Sequence, residues 1–181
     1  VMMEEAKMIT VQAEQLSKEN FEIYGQYHNM CSDDGACFGD QNFTFYRDSI
    51  RMVPPVSALA FSTLLVERSV HFMVPALEYH DHTAEIMMPM DDDTVLCLAP
   101  AGNTERPDTE ALRAFLIPCG TMIHLNPGTW HYMPQPLYKE EVHVLIVLPE
   151  RTYHNDLTAV NFEGDNLLTV KTGGDHESVC L

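Results

Sequence analysis

Positive charge is scarce in this 181-residue chain: 10 Lys and Arg stand against 27 Asp and Glu, for a formal net charge of −17. A surface of that sign repels a phosphate backbone, and the few cations form no basic stripe, which excludes nucleic acid as a partner. Long apolar runs are also missing. None approaches the roughly 20 residues that a helical membrane span needs, so no membrane association is expected. The five cysteines (Cys31, Cys37, Cys97, Cys119, Cys180) contain no C-x-x-C pair, and their odd number and irregular spacing argue against a disulfide framework. Cys97 and Cys119 read as small buried hydrophobes. No signal peptide heads the sequence, and the cytoplasm is the expected compartment. Disorder is excluded in turn, because the chain is 45% apolar and only 20% charged. At this length it can bury roughly two-thirds of its unfolded surface, a core that needs no disulfide or structural metal.

What the sequence does contain is a succession of short β-type runs. Phe43 to Tyr46, Ser57 to Val66, Glu78 to Met88, Thr94 to Leu98, Leu112 to Ile117 and Val142 to Leu148 are rich in Val, Ile, Leu, Phe and Thr. Turn formers such as Asp91-Asp92-Asp93 and Ala101-Gly102-Asn103 divide them, and no long helical pattern intervenes, so the fold class is mostly β, a sandwich or barrel. Nearer the start, Met8 to Ala13 alternates like a strand, and Ser17 offers an N-cap for a short helix closing at Gly25, with Phe21 and Tyr24 turned inward. Residues 26 to 41 read as an irregular loop. Without a repeat or linker, 1–181 is expected to be one domain, with a core at about 43–150 and a peripheral segment at 151–181 that ends in an exposed tail containing His176.

The densest group of chemically capable residues is Glu78-Tyr79-His80-Asp81-His82-Thr83-Ala84-Glu85. On one extended strand, residues two apart share a face, so Glu78, His80 and His82 line up while Glu85 has the opposite parity and joins only through a bulge or twist. Two imidazoles and a carboxylate suit a divalent ion such as Zn, Ni, Mn or Fe; the alternative is a plain polar strand face. A second group, Asn126-Pro127-Gly128-Thr129-Trp130-His131, is a turn followed at once by an aromatic and a histidine. Such a turn can deliver His131 into a barrel mouth, where it adds a ligand to a set of His80, His82 and one of Glu78 or Glu85. Trp130 reads as a core or wall residue. His124 and His143 are further candidates, each also explicable as a structural histidine.

An H-x-H with a following Glu, then about 45 residues later a P-G-x-x-H turn, resembles the two signature segments of the cupin superfamily. That resemblance implies a double-stranded β-helix, a jelly-roll-like barrel with metal ligands inside. A closer likeness covers about residues 8 to 150. Leu16-Ser17-Lys18-Glu19-Asn20-Phe21 with Tyr24-Gly25, Leu77 to His80 running to Met88-Pro89-Met90, Pro107-Asp108 with Leu112-Arg113-Ala114-Phe115, and Gly128 to His131 together resemble the ureidoglycolate lyase family of allantoin degradation. This chain departs from the family pattern at His143, where a carboxylate is usual, at Tyr132, where a second histidine is usual, and in having His82. Glu85 also lies one residue closer to His80 than the usual cupin spacing.

The likeness implies an enzyme that splits a small anionic substrate, ureidoglycolate, into glyoxylate and urea. His131 would act as base or as ligand to one divalent metal ion, with Glu78 or His124 as acid. Arg68 or Arg113 would meet the substrate carboxylate, and Trp130, Tyr132 and His143 would complete the substrate site. His82 and His143 also motivate a metal-dependent isomerase or epimerase of a sugar or sugar acid, with a non-catalytic small-molecule-binding cupin as a third reading. A homodimer is expected on analogy with other barrels of this size.

Overall fold

The computed structural model describes residues 9–53, 57–102, 105–164 and 167–173. The first part of the chain forms β1 (Ile9–Gln15), helix α1 (Lys18–Phe21), β2 (Gly25–Asn29), β3 (Cys37–Asp40), β4 (Phe43–Tyr46), β5 (Leu59–Glu67) and β6 (Met73–Val74). The central part forms β7 (Ala76–Tyr79), β8 (Glu85–Pro89), β9 (Thr94–Ala99), β10 (Arg113–Ile117), β11 (Thr121–Leu125), β12 (Trp130–His131) and β13 (Gln135–Pro136). β14 (Glu141–Pro149), helix α2 (Thr152–Asn155), β15 (Thr158–Asn161) and β16 (Leu168–Lys171) follow. The single-turn α1 is where the sequence places it. Ser17 caps it, accepting from the Asn20 N–H while the Asn20 side chain accepts from the Ser17 N–H, a reciprocal arrangement that contributes about 1 kcal/mol.

Residues 76–99 and 113–131 run beside each other as one long antiparallel ribbon. Leu98 pairs with Arg113, Thr94 with Ile117, Met87 with Ile123, Glu85 with Leu125 and Glu78 with His131. The ribbon winds as it goes: β7, β9, β10 and β12 belong to a nine-stranded sheet, whereas β8 and β11 belong to a five-stranded sheet ordered β2-β11-β8-β14-β5. A two-stranded ribbon that alternates between two facing sheets is a double-stranded β-helix, the barrel expected from the signature segments.

Strand periodicity then sorts the side chains. Every residue of β9 is buried, because Leu96 and Leu98 face the barrel interior with Met87, Ile123, Val144 and Ile146, while Val95, Cys97 and Ala99 face a second core on the sheet's other side. That second core draws Val95, Cys97 and Ala114 from the middle of the nine-stranded sheet and Leu77, Val160, Leu168 and Val170 from strands near its ends, so the sheet curls around it. Three expectations change here. The 26–41 stretch contains β2 and β3. The run Glu78 to Met88 is two strands in different sheets, with residues 80–84 between them. Finally, the segment after 151 is no appendage: β16 pairs in parallel with β1, β15 pairs with β7, and Phe162, Leu168 and Val170 are buried. His176 and Cys180 lie outside the described residues. Among the described helices none is long and apolar enough to cross a membrane.

Candidate metal centre

The proline-glycine turn does what its residues suggest. Gly128 takes φ +81, a left-handed conformation that favours glycine, and its N–H donates to the His80 carbonyl at 2.7 Å while the Thr129 N–H donates to the Asn126 carbonyl at 3.2 Å. The two-residue β12 that follows splits its side chains between the cores. Trp130 turns into the second core, edge-on to Tyr79 at 4.5 Å between ring centroids, and His131 turns into the barrel.

Each site histidine is held by one ring nitrogen against a backbone carbonyl. Nδ1 of His131 lies 2.9 Å from the Thr129 carbonyl, and Nδ1 of His80 lies 2.6 Å from the Asp156 carbonyl. A carbonyl can only accept, so both Nδ1 atoms carry hydrogen and both Nε2 atoms point at the site. Glu85 opens β8, two residues before the interior-facing Met87, and therefore shares its face. Its Oε2 lies 3.2 Å from Nε2 of His80 and 3.0 Å from Nε2 of His131, and the residue is 2% exposed. Glu78, paired across the ribbon with His131, approaches the same Nε2 at 3.7 Å with a side chain 34% exposed. One ligand atom from each of Glu78, His80 and His131 lies within 4.8 Å of the others.

Nε2 of His80, Nε2 of His131 and Oε2 of Glu85 are all buried, yet none has a properly directed hydrogen bond, although the carboxylate oxygen is 3.2 and 3.0 Å from the two nitrogens. Burying polar atoms without partners is costly, and a cation among them relieves all three at once. Two imidazoles with one or two carboxylates form a donor set that first-row divalent metals accept. The residues present fit a metal.

Without metal, protons do that work. Burial opposes charge on His80 and His131, but the Glu85 carboxylate outweighs it and, with the carbonyls behind them, raises both above the usual imidazole value. Burial would push Glu85 up, yet the two imidazoles hold it down at about 2. The signs give a pH window for the metal-free protein. The histidine contributions are complete below the unfolded value of ~6.5 and disappear as pH rises through their raised folded values, while the Glu85 contribution is complete above ~4.3 and disappears as pH falls toward about 2. Metal-free protein is therefore expected to be most stable at mildly acidic pH, and thermal melts from pH 4 to 9 without metal check this. Constant stability above pH 6.5 would contradict the ion-paired cluster.

The other sequence candidates lie elsewhere. His82 is not brought to the cluster: β7 ends at Tyr79, and the His82 side chain is 82% exposed beside Asp81 and Asp156. His124 and His143 sit on the outer face of the five-stranded sheet, since their neighbours Ile123, Leu125, Val142 and Val144 face inward. Neither is among the residues lining the cavity over the cluster, and His143 is engaged by Asp91 at 2.7 Å. Arg113 is committed to Glu14 by a two-pronged ion pair, and Arg68 donates to the Tyr138 carbonyl and covers the Phe72 ring at 5.8 Å, so neither guanidinium lines the cavity over the cluster. Trp130 supports the site from behind. Tyr132 does reach that cavity, which measures about 340 Å³.

Two site residues have no signal in the sequence, because they come from the α2 region. Tyr153 lines the cavity and meets the His80 ring edge-on at 5.8 Å between centroids. Asp156 clamps the 81–83 loop: its carboxylate accepts from the N–H of Asp81 at 2.8 Å, the N–H of His82 at 3.0 Å and the Thr83 hydroxyl at 3.0 Å, while its carbonyl orients His80. An Asp156→Ala change keeps the carbonyl behind His80 but removes the carboxylate that clamps the 81–83 loop, and the loosened His80 is expected to weaken metal binding about tenfold. Calorimetric titration with Mn²⁺ or Zn²⁺ measures it, and an unchanged affinity would show that the loop holds His80 unaided.

A double-stranded β-helix whose ribbon delivers histidines and carboxylates into the barrel defines a cupin-type protein. The ureidoglycolate lyase family model matches residues 8–169, and the chain belongs to that family. No curated protein sequence matches it. Among solved structures it is similar to the Mn(II)-containing oxalate decarboxylase of Bacillus subtilis, with 17% identity and a TM-score of 0.40 over 58% of this chain and 24% of that one. It is also similar to the Lactobacillus farciminis oxalate decarboxylase formate complex (13% identity, TM-score 0.42, covering 66% of this chain and 35% of that one). RmlC from Streptococcus suis in complex with dTDP-D-xylose gives 11% identity and a TM-score of 0.40, covering 63% and 60%. The chain thus spans between about a quarter and three-fifths of the length of these proteins.

Proposed function

We propose that the protein is a metal-assisted carbon–nitrogen lyase that splits ureidoglycolate into glyoxylate and urea. The observation that carries this reading, beside family membership, is the convergence of His80, His131 and Glu85 on one buried point with Glu78 at the cavity edge. Those three residues, with or without Glu78, would hold a divalent ion. When bound, such an ion lowers the pKa of a carbinol hydroxyl and neutralises a substrate carboxylate, which no Lys or Arg among the described lining residues meets.

The remaining work falls to the chain's own groups. Glu78 is the partly exposed carboxylate of the set, so it can take the carbinol proton as the carbon–oxygen double bond forms and return it to the departing nitrogen as the carbon–nitrogen bond breaks. One proton moves, and none is gained or lost overall. Tyr153 stays protonated at neutral pH, as a phenol does, and it offers a donor to the ureido carbonyl. Assays for urea and glyoxylate from racemic ureidoglycolate, with protein loaded in turn with Mn²⁺, Zn²⁺ and Ni²⁺, test the reading. Folded protein that binds metal and releases neither product would overturn it.

The reading includes a homodimer. On the outer face of β5, Phe61 is 72% and Leu65 51% exposed, an apolar surface that a second copy could cover. A Phe61→Asp/Leu65→Asp variant is expected to halve the mass measured by light scattering after gel filtration. A wild-type chain that already runs as a monomer would count against the dimer.

A further inference from the structure

The cavity above the cluster is chemically lopsided. Among the described residues its acidic and basic lining is Glu78, Glu85 and His131, and the rest is apolar side chains, Met87, Ile146 and Met133 among them, with Tyr132 and Tyr153. Among the described lining residues there is no Lys, Arg, Asn, Gln, Ser or Thr. Ureidoglycolate is polar along its whole length. Its terminal amide would lie against this wall with only tyrosine hydroxyls in reach, and an amide buried without partners is penalised. About 340 Å³ is also generous for so small an ion and falls within the range of sites that take larger ligands.

We infer that the site cleaves N-acyl-α-hydroxyglycines with an apolar acyl group, releasing glyoxylate and an apolar primary amide. This rests on the proposed lyase chemistry and changes only what stands beyond the nitrogen. The bonds balance as before: the carbinol carbon–nitrogen bond breaks, the carbon–oxygen double bond forms, and the hydroxyl proton passes through Glu78 to the amide nitrogen without any oxidant or further reactant. The head group, a carboxylate beside a hydroxyl, faces the His80, His131 and Glu85 end, and the acyl arm lies along Met87, Ile146 and Met133 in place of a second ureido nitrogen.

A binding comparison that does not depend on turnover isolates the arm. N-benzoylglycine and N-carbamoylglycine share the glycine head and differ only in phenyl against amino. Calorimetric titration of Mn²⁺-loaded protein is expected to show N-benzoylglycine binding at least about tenfold tighter, the effect of burying a ring of that size. A Met133→Gln change, similar in volume and at the cavity edge, is expected to shrink that ratio without altering Mn²⁺ affinity. In parallel, glyoxylate release is compared for N-benzoyl-α-hydroxyglycine and ureidoglycolate, and the former is expected to show the higher kcat/KM. Equal or tighter binding of N-carbamoylglycine, with faster turnover of ureidoglycolate, would overturn the inference and leave the lyase reading standing. Glyoxylate from neither compound would overturn the lyase reading, and with it the proposed activity, even if N-benzoylglycine still bound tighter.

Discussion

A His131→Ala variant is expected to lose two things that can be measured apart: more than about a hundredfold in metal affinity, and roughly 3–5 kcal/mol of stability in the metal-free form. The first follows because Nε2 of His131 faces the point shared with His80 and Glu85, so removing it takes away a ligand itself. The second follows from Glu85. That carboxylate is almost fully buried and held in its charged form by the two imidazoles, His131 foremost among the charges. Deleting the partner leaves a buried charge with half its compensation, and for a chain of this size the loss corresponds to a Tm lower by about 10 °C. A second change separates the effects. Adding Glu85→Gln to His131→Ala removes the stranded charge and is expected to recover part of the Tm while leaving metal binding abolished. If His131→Ala binds metal like the wild type, the cluster is a structural ion pair and not a metal centre.

Much of this geometry was legible in the sequence, for reasons that also explain where legibility stopped. The turn residues Pro127 and Gly128 have local conformational demands, so His131 could be placed at a barrel mouth before any coordinates. His80 was identified through the H-x-H spacing, but the parity argument behind it assumes a continuous strand. The strand ends at Tyr79, and the loop that follows resets the alternation. Thus His82, expected to point inward, faces solvent, and Glu85, expected to be out of phase, becomes the most buried carboxylate of the cluster. What ends the strand is Asp156, 76 residues beyond His80, and no local pattern announces a clamp supplied from that distance.

The placing of His124 and His143 escapes the sequence for a different reason. Thr121–Leu125 is a strand whose inward Ile123 and Leu125 turn His124 outward, and a run that short does not declare which face is core. Val142 to Leu148 is apolar at almost every position, because the inner face is core and the outer face carries Leu145 and Val147 as well. With no polar alternation to read, the face of His143 was undetermined until β14 was paired with β5 and β8. The arginines were assigned by charge alone, and both turned out to be occupied by other partners. With no Lys or Arg among the described lining residues, an anionic head group depends on the histidine and metal end of the site.

Glu78 is where structure and chemistry can be told apart most directly. A Glu78→Gln variant is expected to lower kcat by about 10²- to 10⁴-fold, the range a positioned acid–base group supplies, while metal content stays close to one ion per chain and Tm hardly moves. Stability is spared because the side chain is a third exposed and makes only a 3.7 Å contact with His131, in contrast to the buried Glu85. Glutamine keeps the shape and can still donate a hydrogen bond, but it cannot accept and return a proton. Glu78→Asp, which restores the carboxylate one methylene short, is expected to recover part of the rate. Should Glu78→Gln release its metal together with its activity, Glu78 belongs to the ligand set, and the proton must travel through another group at the cavity, of which the Tyr153 phenol is the next in reach.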